Sequence, residues 1–276
     1  MKKRLIIPLL LIGIMLCGFG CSASKKSPPL DIEAFTLFDT ITFEEPVLKA
    51  HYHGATKNIF AHEVKTHRIL IFKDGKQINA IGGLGSQSSN FLRLEDITMG
   101  RDGSIYALDG GAREVKRFNP DGKYMGTMKL EYVQQPKKIA LGREDNLFIY
   151  DGAASEIVVF DLLDGSELYR FGKFQLQNVD KLYAGRDFLI AYDKERDTSA
   201  MFSILGQFIS EDNGQIIFDE YNNAISLSND ALISKMSAAW LPMGGKPGFV
   251  TINNNILAIV VDNQVRLLKI DYAQVL

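Results

Sequence analysis

Cysteine is nearly absent from this chain. Of 276 residues only Cys17 and Cys21 are cysteine, and both sit in the first two dozen positions. The remainder therefore has no disulfide framework and must hold itself together by packing. Histidine is almost as scarce: His51, His53, His62 and His67 are the full set, gathered within one short stretch. Trp240 is the single tryptophan. After the first twenty residues no apolar run is long enough to cross a bilayer as a helix. Neither charge sign dominates, with 31 Lys and Arg against 33 Asp and Glu and no basic cluster, which argues against a nucleic-acid partner. Nucleophile elbow, Walker loop and HExxH helix are all missing.

What is present at the start is an export leader. Lys2, Lys3 and Arg4 precede an apolar run from Leu5 to Leu16, the layout of a secretory signal. Gly18-Phe19-Gly20-Cys21 resembles a bacterial lipobox, in which a small residue precedes the cysteine that receives lipid. The leader is read as residues 1–20, with Cys21 as the lipidated first residue of the mature chain and 21–30 as a solvated Ser/Lys/Pro tether. Removing 1–20 takes away three basic residues and leaves 28 against 33, a net charge near −5. Residues 31–276 are read as one domain.

That domain repeats. Glu63, Asp109, Asp151 and Asp193 are separated by 46, 42 and 42 residues, and Phe72, Phe118, Phe160 and Phe202 by the same three intervals. Gly-Arg-acid recurs at Gly100-Arg101-Asp102, Gly142-Arg143-Glu144 and Gly185-Arg186-Asp187. Within each unit, short runs of period two alternate with turn residues such as Asn119-Pro120-Asp121-Gly122. A repeat of about 40–45 residues with four short strands is the signature of a β-propeller blade. The expected fold is all-β, a propeller of six four-stranded blades with five as the alternative count, closed by N- and C-terminal strands sharing one blade. Asn223–Leu227 and Ala231–Ser234 are read as the first two strands of a fifth blade.

The stretch from Gly82 to Met128 resembles an NHL repeat, with Phe91, Ile97, Ile105-Tyr106-Ala107, Asp109, Phe118 and Gly122 in that family's places. The resemblance implies a six-bladed propeller. Zinc-dependent peptidyl-amidoglycolate lyases are similar in fold, but draw their metal histidines from several blades. Here a single repeat holds all four.

Each recurring residue has a structural reading beside a functional one. Asp109, Asp151 and Asp193 end the second strand and are expected to cap the next turn rather than to bind a cation. The four phenylalanines are expected in the core. Arg101, Arg143 and Arg186 share one face, either as an anion-binding crown or as solvated turns paired with the acids that follow them. Trp240 either lines a pocket or the channel mouth, or is a buried aromatic.

Aligned on the repeat, His51 stands with Ile97, Ile139 and Leu182, and His53 with Met99, Leu141 and Ala184, an apolar side of the innermost strand. His62 stands with Leu108, Tyr150 and Tyr192, and His67 with Arg113. His51, His62 and His67 are then expected near one rim, with Glu63 as a carboxylate. The set His51, His53, His62, His67 and Glu63 is a zinc or copper shell on one reading and ordinary blade residues on the other.

The leading functional expectation is an exported lipoprotein, held on a bacterial membrane at its outer-membrane or periplasmic face. Its propeller would bind a protein, peptide or glycan and no nucleic acid. The alternative is a metal-dependent hydrolase or lyase built on the histidines.

Overall fold

The computed structural model describes residues 30–228, 231–235, 239–245 and 247–273. The leader and Cys21 lie outside these, as does the tether up to residue 29. The described residues form 24 strands and no helix, in six sheets of four antiparallel strands each.

The first strand, β1 (Ile32–Thr42), belongs to the last blade. Blade 1 follows as β2 (Val47–His53), β3 (Asn58–Glu63), β4 (Arg68–Lys73) and β5 (Lys76–Gly82). Blade 2 is β6 (Leu94–Met99), β7 (Ile105–Asp109), β8 (Glu114–Phe118) and β9 (Tyr124–Lys129). Blade 3 is β10 (Pro136–Leu141), β11 (Asn146–Asp151), β12 (Glu156–Asp161) and β13 (Glu167–Phe171). Blade 4 is β14 (Lys181–Ala184), β15 (Phe188–Asp193), β16 (Thr198–Ser203) and β17 (Phe208–Asn213). Blade 5 is β18 (Gln215–Phe218), β19 (Ala224–Leu227), β20 (Ala231–Ser234) and β21 (Trp240–Pro242). Blade 6 joins β22 (Pro247–Asn253), β23 (Ile256–Val261) and β24 (Gln264–Tyr272) to β1.

This is a six-bladed propeller, and β1 closes it by pairing with β24 from Ile32↔Tyr272 to Thr42↔Gln264. A free β24 edge would expose a row of unpaired backbone groups, which closure removes. Along β1, Phe35 and Ile41 are buried, whereas Leu37 and Phe38 face outward.

Asn223–Leu227 and Ala231–Ser234 belong to the second and third strands of blade 5, not its first two. The innermost strand is Gln215–Phe218. The chain passes from β17 to β18 through Gly214 alone, at φ +79°. Earlier blades spend 6 to 11 residues on that crossing, so the repeat spacing collapses there.

The core lies in the seams between blades. Phe60, Ile69 and Ile71 of blade 1 pack on Ile97, Ile105 and Phe118 of blade 2. Comparable clusters join blades 2 and 3, blades 3 and 4, blades 5 and 6, and blades 6 and 1. Each fully buried Val, Leu, Ile or Phe contributes about 1.5–3 kcal/mol. Phe118, Phe160 and Phe202 are buried in these seams, and Phe72 packs edge-on to Phe43 with centroids 4.7 Å apart.

The seams are locked at one end by carboxylates. Asp109 accepts backbone N–H bonds from Leu92, Arg93, Gly111 and Ala112, between 2.9 and 3.1 Å. Asp151 does the same for Gln134, Gln135 and Ala153. Asp193 takes Glu195 and Arg196. In blade 1 Glu63 takes the N–H groups of Lys65 and Thr66. These side chains tie the turn after the second strand and, in blades 2 and 3, the incoming innermost strand. A backbone that would otherwise be orphaned is thereby satisfied.

Candidate functional site

The innermost strands are joined across the central channel by a belt of polar side chains that sequence reasoning missed. Lys49 reaches from blade 1 to both carboxylate oxygens of Asp96 in blade 2, at 3.1 and 3.3 Å, and to the carbonyl of Ile139 in blade 3. Its ammonium also lies 4.4 Å from the Phe249 ring centroid in blade 6. Asp96 accepts in addition from the N–H of Ile139 at 3.1 Å. Across the channel Lys181 donates to Gln215 Oε1 and to the carbonyl of Gly248, while Gln215 Nε2 donates to the Tyr183 hydroxyl at 2.6 Å. All six blades contribute at least one group. Burial pushes the Asp96 carboxyl up, but Lys49, Lys138 and the Ile139 N–H outweigh it and hold the group below the usual range. Burial draws the Lys49 ammonium down. With both oxygens of an ionised Asp96 on its nitrogen, the charged pair is the state this geometry supports.

The residues of the belt share a sequence signal. Lys49, Asp96, Lys138, Lys181 and Gln215 each stand one residue before a buried apolar residue, namely Ala50, Ile97, Ile139, Leu182 and Ile216. A polar residue recurring beside the core position of five of the six innermost strands, with Phe249 in its place in blade 6, marks the channel.

Above the belt, toward the hairpins that join the first and second strands, the channel opens as a cavity of about 200 Å³. Thr98, Ala140, Tyr183, Ile217 and Thr251 line its wall, and His51 does so in blade 1. Arg101, Arg143 and Arg186 all line its mouth. Arg101 and Arg143 make no ion pair among the described residues. Arg186 lies 3.9 Å from Asp187, too long for a hydrogen bond. Asp102 turns instead to Ser104 and Arg117.

The histidines divide between the two ends. His51 pairs with Phe60 across β2 and β3, and Tyr52 with Ile59; Ile59 in turn pairs with Phe72. In blade 2 the residue paired with Phe118 is Ile105, whose partner is Met99. Tyr52 is therefore the counterpart of Met99. His51 matches Thr98, Ala140 and Tyr183, while His53 matches Gly100, Gly142 and Gly185. The alignment made from sequence is off by one residue on this strand, because the first hairpin of blade 1 is one residue longer than that of blade 2. A one-residue slip exchanges the two faces. His51 thus occupies the channel-lining row and not the apolar one.

His51 Nε2 lies 3.4 Å from the Ile97 carbonyl, and His53 Nδ1 lies 2.9 Å from Thr56 Oγ1. His62 is buried beside the belt, and neither ring nitrogen has a hydrogen-bond partner among the described residues. His67 stands at the far end, at φ +54°, and accepts the N–H of Leu94 on Nδ1 at 3.2 Å. Its counterparts Arg113, Ser155 and Asp197 share that left-handed conformation. Burial lowers the His51 imidazole to about 3 and the His62 imidazole to about 4, so both are neutral at pH 7. Glu63 is engaged by its own turn. Among the described residues, no three His, Cys, Asp or Glu side chains are grouped to hold a metal. Trp240 is on the outermost strand of blade 5, 59% exposed, and neither lines the cavity nor is buried.

A family comparison agrees with the ring. The profile of the 6-bladed β-propeller family DUF5128 matches residues 51–231. The chain belongs to that family. No curated protein matches it significantly. Among solved structures, a streptogramin B lyase superposes with TM-score 0.57 at 11% identity, over 86% of this chain and 98% of that one. A catalytically inactive virginiamycin B lyase from Staphylococcus aureus, with quinupristin, gives 0.58 at 13% identity over 83% of each. The Pan2 WD40 domain of Neurospora crassa gives 0.58 at 10% identity, over 90% of this chain and 99% of its own. At such identities the likeness is one of fold alone.

Proposed function

We propose that this DUF5128 propeller is the binding module of a cell-envelope lipoprotein. In this reading Cys21 carries the lipid, residues 21–30 form the tether, and the propeller receives a protein, peptide or glycan partner on the face bearing the first hairpins. The observation that carries the reading is the cavity on that face. Lys49 of the belt lines it, and its mouth is formed by loops of several blades. Loops held on a rigid ring suit recognition. Among the described residues, no three His, Cys, Asp or Glu side chains are grouped there to hold a metal.

Two experiments test the reading separately. Cells fed an alkyne fatty acid should label the full chain and should fail to label Cys21→Ala. Equal labelling of both removes the anchor. A photo-crosslinking residue at Glu144, on the first-hairpin face, should capture a partner in intact cells, whereas one at Ala153, on the opposite face, should not. Capture from Ala153 alone would place the binding surface on the wrong side.

A further inference from the structure

The mouth of the cavity is chemically lopsided, and the repeat allows that lopsidedness to be measured. The residue two positions beyond Tyr52, Met99, Leu141, Ala184, Phe218 and Ile252, which share one register position, is structurally equivalent around the ring. From blade 1 to blade 6 it is Gly54, Arg101, Arg143, Arg186, Glu220 and Asn254. A side chain required by the fold would recur in all six. Arginine instead occupies three consecutive blades and no other. Among the described residues, two of the three make no ion pair and the third has only the distant Asp187. Asp187 itself is drawn away by Asn222 Nδ2 at 2.6 Å. Guanidinium groups present planar pairs of donors that match carboxylate and phosphate oxygens. Three of them converge on one arc of a cavity in a chain whose acidic residues outnumber its basic ones. Opposite stand Asn254 and Glu220, groups suited to hydroxyls.

We infer that the channel mouth binds a small hydroxyl-rich molecule, or the end of a glycan, that bears an oxyanion. Arg101, Arg143 and Arg186 hold the oxyanion, and Asn254 and Glu220 take hydroxyl groups. The cavity of about 200 Å³ suits a group the size of one sugar ring. The oxyanion is the carboxylate of a uronic acid or the phosphate of a sugar phosphate, which this chemistry treats alike. The inference rests on the proposal that the first-hairpin face is the binding face.

Calorimetric titration of the full chain in detergent, with glucuronate, glucose 6-phosphate and glucose, tests it. Either acid or both should bind, glucose should not, and added salt should weaken the binding. Arg143→Gln/Arg186→Gln should lose ~tenfold or more in affinity, while Arg196→Gln on the opposite face should lose nothing. Heat from glucuronate alone identifies a carboxylate ligand, and heat from glucose 6-phosphate alone identifies a phosphate. Binding of glucose equal to that of the acids, no binding of any of the three, or equal loss in the Arg196 control overturns the inference. Crosslinking from Glu144 that persists in the double variant, together with any of those results, leaves the binding face standing and removes only its anionic ligand.

Discussion

At the end of the third strand, blades 1 to 4 place Phe72, Phe118, Phe160 and Phe202. The pairing of Phe218 with Ala224, and of the Ala224 carbonyl with the N–H of Lys235, places Lys235 at that point in blade 5. The consequence is visible in the seam. Blades 3 and 4 are joined by a continuous apolar cluster around Phe202, whereas the seam of blades 4 and 5 holds a cavity of about 190 Å³ bordered by Ile190, Met201, Phe218 and Lys235. The two regions share a backbone topology, so strand pairing alone does not specify seam packing. The ladder makes a blade, and the third-strand phenylalanine fastens it to the previous one. Blade 5 can do without because the ring holds it from both sides, through blade 4 by Gly214 and through blade 6 by a buried cluster.

The sharpest way to break that comparison is to remove the phenylalanine where it works. Phe202 is fully buried and packs against Phe171 and Phe208 at 5.1 and 5.6 Å between centroids. Phe202→Ala is expected to cost about 3–5 kcal/mol, read by chemical denaturation. Lys235→Ala should stay within about 0.5 kcal/mol, because its side chain is exposed. Similar losses at the two sites would mean that both seams are fastened alike.

The belt offers a parallel contrast. Lys49→Met strands the buried Asp96 carboxylate and should cost about 3–5 kcal/mol, much of it recovered in Lys49→Met/Asp96→Leu. Lys181→Met removes the donor to Gln215 and to the Gly248 carbonyl and should cost about 1–3 kcal/mol. A double variant no more stable than Lys49→Met alone would show that the pair is needed for more than mutual charge compensation.

Blade 1 differs from its neighbours in pH response. The folded His62 imidazole titrates at about 4 against an ordinary 6.5. Above pH 6.5 it is neutral whether the chain is folded or not, and contributes nothing to the dependence. As pH falls below 6.5 the unfolded chain takes up the proton first, so stability drops by up to ~1.4 kcal/mol per pH unit until about pH 4. His51 adds a slope of the same sign down to about pH 3. His62→Leu copies the residue of blade 2, Leu108, and should flatten the slope between pH 6 and 4 by roughly that amount. An unchanged slope would mean that His62 is already hydrated and free to titrate.

The sequence marks blades 1 to 4 clearly, because acid and phenylalanine recur at fixed spacing after the first hairpin. It misleads before that hairpin. The span from the residue at the Tyr52 position to its partner on the second strand varies, from Tyr52–Ile59 to Met99–Ile105 to Ala184–Leu189, so a phase taken from Phe72 slips on reaching His51. Blade 5 was partly hidden because its linker shrinks to Gly214 and its phenylalanine is Lys235. The three arginines were legible as a shared face, but the freedom of Arg101 from the acid that follows it was not. That depends on Asp102 turning toward Ser104 and Arg117, a contact between strands that local sequence does not express.

The smallest effect is the most discriminating, because it asks whether blade 5 can be given what the others have. Lys235→Leu places an apolar side chain at the border of the cavity between blades 4 and 5, next to Ile190, Met201 and Phe218. If the seam is loose only for want of that side chain, burial should add about 0.5–2 kcal/mol and raise Tm, as cavity-filling changes commonly do. Hydrogen exchange should slow in the short strands β19 and β20 more than in β15 and β16, since local opening follows the number of buried apolar contacts. A lower Tm with faster exchange in blade 5 would give the opposite answer. The cavity would then be enforced by Ser199 and Asp212 on its wall, and the missing phenylalanine would be a feature the ring is built around.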